Sequence, residues 1–169
     1  MTPYDADYWI KALGLKPHPE GGFYCEVYRS TENIQRPALP SRYSGDRVFS
    51  TSIYFLLRSG EVSRFHRLRS DEVWHFYEGS AVVVHVLKPG GSSEIIQIGR
   101  EPSRGESFQA VLRAGWWFGA EIPDSASYAL VGCTLAPGFD FADFELARRE
   151  DLLKDFPVHG AIIERLTLP

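Results

Sequence analysis

From Val48 to Leu135 the chain alternates apolar and polar positions in short runs that break at glycine, proline or Asp-Ser clusters. The runs predict strands at Val48–Arg58, Ser63–Leu68, Val73–Tyr77, Ala81–Lys88, Ser93–Ile98, Ser107–Leu112, Trp116–Glu121 and Ser127–Leu135. Turn signals at Ser59-Gly60, Glu78-Gly79, Pro89-Gly90-Gly91, Gly105, Gly115 and Pro123-Asp124 separate them. A period of two repeated at this spacing predicts an all-β sandwich or closed barrel, not an α/β fold.

The two ends follow a different rhythm. Asp5–Leu13 has helical spacing, with Tyr8, Trp9, Ala12 and Leu13 on one side and Gly14 where a helix stops. Pro17-His18-Pro19-Glu20-Gly21-Gly22 is a turn, read here as structural, and Phe23–Arg29 is a further strand. Glu145–Phe156 and Ala161–Leu166 have helical spacing again. Between them all, Thr31–Arg47 has no apolar period and reads as a long loop, either a lid or a solvated connection.

Composition narrows the function classes. A chain of 169 residues, 44% apolar and 24% charged, fits one globular domain spanning 1–169. A net charge of -4 gives no general attraction to a nucleic acid polymer or an anionic membrane. The apolar run Ile53–Leu57 is too short to cross a bilayer, and the first twenty residues lack an apolar signal core, so a cytoplasmic location is expected. Two distant cysteines, Cys25 and Cys133, exclude a disulfide scaffold.

The chemistry concentrates in Gly60–Gly79, GEVSRFHRLRSDEVWHFYEG. On strand parity, Arg64, His66 and Leu68 share one face of the first strand. Glu72, Trp74 and Phe76 share one face of the second, and His75 points the other way. A hairpin then brings His66 and Glu72 together.

This segment resembles the first motif of the cupin superfamily, with Gly60, His66, Glu72 and Gly79 at matching positions. Leu68 stands where that motif has a second histidine. In the second motif, near Gly105–Ile122, Gly115 matches, Arg113 replaces a proline and Phe118 replaces the third histidine. HPEGGFY (18–24), the stretch 50–79 and CTLAPGFDFADFELA (133–147) resemble Cupin family 5, also called domain of unknown function 985. That resemblance implies a cupin jelly-roll β-barrel with short N- and C-terminal helices, and a homodimer. It implies no particular activity.

With two of three histidine positions lost, no metal or other cofactor is expected. If a metal were held, its ligands would be His66, Glu72 and Gln109. The residues suit a metal-free proton-handling pair instead, with His66 as base and Glu72 orienting it. Tyr54 is the favoured second proton donor, ahead of Tyr24 and Tyr77. Trp74, Phe76, Trp116 and Phe118 supply aromatic surface, and Arg64 and Gln109 supply polar contacts, for a small ligand such as a nucleotide or nucleotide sugar. The expected activity is a metal-independent isomerase or epimerase; the alternatives are a non-catalytic binding module and a metal-dependent cupin enzyme.

Overall fold

A computed structural model describes residues 4–169. Its elements in chain order are α1 (Ala6–Ala12), β1 (Lys16–Pro17), β2 (Phe23–Arg29), β3 (Asn33–Ile34), β4 (Arg47–Val48), β5 (Thr51–Arg58), β6 (Val62–Arg67) and β7 (Glu72–Gly79). They continue with β8 (Val82–Leu87), β9 (Ser93–Ile98), β10 (Gln109–Leu112), β11 (Trp117–Glu121), β12 (Tyr128–Leu135), β13 (Glu145–Leu146), α2 (Arg149–Asp155) and α3 (Gly160–Arg165).

The strands pair antiparallel in two facing sheets, ordered β1-β2-β5-β12-β7-β10 and β13-β6-β11-β8-β9. This is the all-β jelly roll that the alternation and the resemblance imply. The main core lies between the sheets, where Phe55, Leu57, Trp74, Val84, Phe118 and Val131 interdigitate. Each such side chain taken from water contributes about 1.5–3 kcal/mol. The outer faces are covered in part by the ends of the chain. Helices α2 and α3 pack over Phe65 and Leu87 through Leu152, Phe156, Ile163 and Leu166. Helix α1 lays Trp9, Ile10 and Leu13 on Leu56, Tyr128 and Leu130.

Several boundaries differ from the expected ones for local reasons. Asp5 caps α1, its carboxylate accepting from the Tyr8 amide (2.8 Å), so the helix begins one residue later. Tyr8 leaves the helix's buried side and stacks on Tyr4, ring centroids 4.1 Å apart. The strand expected from Val48 is interrupted at Phe49–Ser50, and the helix expected from Glu145 opens as the short strand β13 before α2.

The Thr31–Arg47 segment is neither a free lid nor a solvated connection. It contains β3, a single 3-10 turn (Arg36–Ala38) and the start of β4, and it buries Leu39, Tyr43 and Arg47. The Tyr43 hydroxyl lies 2.9 Å from Ser70 Oγ, and Arg42 and Arg69 each donate to the other's backbone carbonyl. Arg47 reaches Asp143 with two bonds of 2.6 Å. The segment is a brace that ties the β6–β7 turn to the chain after β12.

Candidate active site

One end of the barrel opens into a cavity of about 370 Å³. Its walls are Ile53, Phe55, Leu68, Trp74, Leu135, Phe139 and Phe144, and its floor gathers His18, Glu20, His66 and Glu72. Such a volume is the size of a small-molecule site.

The floor is assembled from three separate pieces of chain. His66 comes from β6, where a bulge decides its direction. Phe118 and Ala120 of β11, two residues apart, pair with His66 and Ser63, three residues apart. The extra residue puts Ser63 and His66 on the same side of the sheet. Glu72 is the first residue of β7, and Trp74, two positions on, shares its face.

The third piece is the HPEGG turn. His18 donates its amide to the Gly22 carbonyl (3.0 Å), and Gly21 donates back to the His18 carbonyl (3.0 Å). Gly21 has φ +110°, and a side chain there would run into the Val62 carbonyl, so only glycine lets the turn lie this close to β6. The turn carries His18 and Glu20 into the barrel. Beyond the structural role expected of the turn, both side chains line the cavity.

The hydrogen bonds fix the protons on both rings. The His66 Nδ1 is 2.7 Å from the Arg64 carbonyl oxygen, which can only accept, so Nδ1 carries a proton. The His66 Nε2 lies 3.1 Å from Glu20 Oε2. The other Glu20 oxygen accepts from the Ser63 hydroxyl at 2.8 Å. His18 Nδ1 accepts from the Glu20 amide (3.2 Å), which leaves the neutral ring's proton on Nε2. The direct carboxylate partner of His66 is thus Glu20, not Glu72 as hairpin geometry suggested. Glu72 Oε2 accepts instead from the Trp74 indole N–H at 2.8 Å.

Burial dominates the electrostatics of all four groups. It pushes the Glu72 carboxyl up to about 7, against the opposing pull of His66 and the Trp74 N–H. It raises Glu20, against His18 and the Ser63 hydroxyl. It lowers His66, against Glu72 and the Arg64 carbonyl, and lowers His18, against Glu20. Cys133, on the cavity wall, is raised well above an ordinary thiol by the same desolvation. The floor therefore favours neutral carboxyls and neutral imidazoles. Groups pushed toward neutrality from both sides near pH 7 can exchange protons at little cost.

Of the residues proposed from sequence, His66, Glu72 and Trp74 lie on the cavity and six do not. The β6 bulge turns Arg64 away, and its guanidinium donates to the Glu20 carbonyl at 3.2 Å, bracing the turn from behind. Tyr54 faces outward, because Thr51, Ile53 and Phe55 take the inner positions of β5; its ring meets Tyr77 edge-on at 5.9 Å. The tyrosine on the cavity is Tyr24. Gln109 is exposed on the outer face and lies 3.0 Å from His75 Nδ1. Phe76 points into the core away from the cavity, with Arg100 over its ring at 5.6 Å. Trp116 sits under Lys88 at 4.7 Å. Phe118 is buried edge-on against the His66 ring at 4.2 Å and does not reach the cavity surface.

Residues 7–147 match the model of the family described as Cupin superfamily (DUF985). This chain belongs to the cupin superfamily. The cupin resembles protein SO0799 of Shewanella oneidensis over 98% of this chain and 99% of that one, at 41% identity and a TM-score of 0.88. It resembles a hypothetical protein of Leishmania major over 98% and 100% of the two chains, at 34% identity and a TM-score of 0.88. The uncharacterized protein YML079W of Saccharomyces cerevisiae is 26% identical over 149 residues, covering 83% of this chain and 74% of its own. Oxalate decarboxylase of Bacillus subtilis shares the fold alone, at 16% identity and a TM-score of 0.54 over 36% of its length.

A metal is a frequent resident of this fold, and one of the oxalate decarboxylase structures concerns Mn(II) centers. The residues of this cupin do not fit one. Leu68 and Phe118 occupy two of the histidine positions, Gln109 lies outside the barrel, and both His66 nitrogens have protein partners. Among the described residues no group of three or more His, Cys, Asp or Glu side chains is arranged to hold a metal ion.

Proposed function

We propose that the cavity is a metal-independent acid–base site that binds a small ligand and moves a proton on it, in the manner of an isomerase or epimerase. The observation that carries this reading is the 3.1 Å contact between His66 Nε2 and Glu20 Oε2 on the floor of an aromatic-walled cavity. With Nδ1 committed to the Arg64 carbonyl, any proton that moves at His66 moves at Nε2.

The chemistry balances without an oxidant. The His66–Glu20 pair takes a proton from a carbon next to a carbonyl, and the C–H electron pair passes into an enol. The Glu72 carboxyl gives its proton to the carbonyl oxygen as the charge develops. Return of a proton to carbon, with loss of one from oxygen to Glu72, yields the isomer and restores both groups. The aromatic walls favour a ring-shaped or flat ligand, since their faces stack on such groups.

Solvent-proton exchange tests the reading without knowledge of the substrate. The protein is incubated in deuterated water with aldoses, ketoses, sugar phosphates and nucleotide sugars, and proton loss at carbon is followed by NMR. Exchange is expected with at least one compound and is lost, by about 10²–10⁴-fold, in His66→Asn and Glu72→Gln. Equal exchange in the variants, or none across the panel, overturns the proposal.

The family-level expectation of a homodimer stands as a further proposal. Tyr77 and Val111, both partly exposed, lie on the outer face of the larger sheet that α1 leaves uncovered. Sedimentation at micromolar concentration distinguishes dimer from monomer.

A further inference from the structure

The two ends of the cavity differ in charge, and the difference describes the ligand. At the floor, Glu20 and Glu72 are both buried and both resist ionising. An anionic group placed beside them would lose its water in a setting where no lysine or arginine stands to answer it, so this end suits neutral hydroxyl or carbonyl groups.

The mouth is built differently. Lys16 and Arg29 both line it, but their circumstances are unlike. Arg29 holds Glu26 with bonds of 2.9 and 2.7 Å, donates to the Phe139 carbonyl, and has Asp140 nearby. Its charge is answered by protein. Lys16 pairs with no carboxylate among the described residues; its ammonium lies 5.2 Å from the centroid of the Tyr24 ring. A cation at an exposed position beside a ring gains only about 0.5–1 kcal/mol, which leaves the ammonium available to an anion.

Lys16 is also tied to the floor. It stands opposite Tyr24 in the β1–β2 ladder, and the Tyr24 ring meets the His18 imidazole edge-on at 4.6 Å. Lys16, Tyr24 and His18 thus form one continuous side of the cavity from mouth to floor. The chain as a whole carries a net charge of -4, so an unanswered cation here is a local feature and not part of a general positive field.

We infer that the ligand has two unlike ends: a neutral hydroxylated or carbonyl-bearing head at the floor, and a phosphate or carboxylate at the mouth held by Lys16. The inference rests on the acid–base reading for the identity of the cavity, and it assigns Lys16 as a specificity-determining residue that no sequence motif marks. An ammonium suits either anion as a point charge, phosphate more strongly for its greater charge.

The test is calorimetric titration with matched compounds: hexoses against their 6-phosphates in one arm, hexoses against the corresponding uronic acids in the other. In at least one arm the anionic member is expected to bind ten times or more tighter than its neutral counterpart, with the advantage shrinking as salt rises. Lys16→Met should bring the two to parity, while Lys11→Met, on the exposed side of α1, leaves the preference intact. Parity in the wild type, a preference that survives Lys16→Met, or no binding in either arm overturns the inference. Where a compound also shows proton exchange, Lys16→Met should raise KM and spare kcat, whereas Glu72→Gln should lower kcat. That split separates failure of the charge assignment from failure of the acid–base reading.

Discussion

Two buried pairs of ionisable side chains flank the segment Phe139–Phe144, and they behave in opposite ways. Arg47 and Asp143 are each 4% exposed and meet through two parallel bonds of 2.6 Å. The guanidinium also donates to the Asp46 carbonyl at 2.7 Å and lies over the Tyr43 ring. Its hydrogen bonds to Asp143 hold the Arg47 proton more firmly still. The two parallel bonds hold both side chains in one orientation, so the pair fixes geometry. His66 and Glu20 are as deeply buried, but they touch through one nitrogen and one oxygen, and burial pushes both toward neutrality. Neither partner of the second pair is favoured in its charged form. The first pair fixes geometry; the second is the one on which the proposed proton transfer depends.

The first pair serves the second. Asp143 ends the short turn Phe141–Asp143, whose neighbours Phe139 and Phe144 wall the cavity above His66 and His18. The brace from Thr31 to Arg47 therefore acts on the site without touching it.

The largest expected effect comes from breaking the Arg47–Asp143 pair. Arg47→Met leaves Asp143 buried without its guanidinium partner, and should cost about 3–5 kcal/mol in denaturant unfolding. Adding Asp143→Leu should restore much of that loss, because two apolar side chains leave no uncompensated charge. A single variant as stable as the wild type would erase the contrast between the pairs.

A smaller effect reads the cavity floor. Glu72 has its folded pKa raised to about 7 from an ordinary value of 4.5, so the folded state holds the proton more tightly. Stability from this group is intact below about pH 4.5 and declines as pH rises through about 7. The histidines run the other way. Their lowered folded values make stability rise as pH approaches 6.5 from below, and partly mask Glu72 in that range. The stability of Glu72→Gln minus that of the wild type isolates the carboxyl. This difference should grow by up to about 3 kcal/mol between pH 4.5 and 8. A flat difference would show that Glu72 is not held near neutrality.

The smallest effect sets the baseline for both. Arg67 and Glu145 form a bidentate pair of 2.8 and 3.0 Å at the surface, 41% and 54% exposed. Glu145→Gln should cost less than about 1 kcal/mol, and less again in high salt. A larger cost would mean that pairing geometry, not burial, governs these interactions.

Much of the fold was legible because alternation is a local signal. The strand runs and glycine breaks sit close to their observed places, and Asp5 and Gly14 mark the two ends of α1. The site was legible only in part. His66 and Glu72 were visible through their spacing, and Trp74 through its parity with Glu72. Parity failed at Arg64, because one extra residue in β6 reverses the alternation and leaves no mark in composition. It gave no answer at Tyr54, because both faces of β5 are apolar: Phe55 packs in the main core and Leu56 under α1. For Glu20 the only available signal was the paired glycine of HPEGG, since a side chain on Gly21 is incompatible with a turn pressed against β6.

The sequence by itself determined the jelly roll, the loss of two metal-ligand positions at Leu68 and Phe118, and one histidine and one glutamate of the floor. These depend on residue type and short spacing, which the chain carries locally. Tertiary structure alone decided that Glu20, forty-six residues before His66 in sequence, is its partner, and that Tyr24 and Lys16 line the cavity while Tyr54 and Arg64 do not. The physical reason is that a proton-sharing contact depends on distances of about 3 Å between chain segments remote in sequence, and only the packed barrel sets those distances.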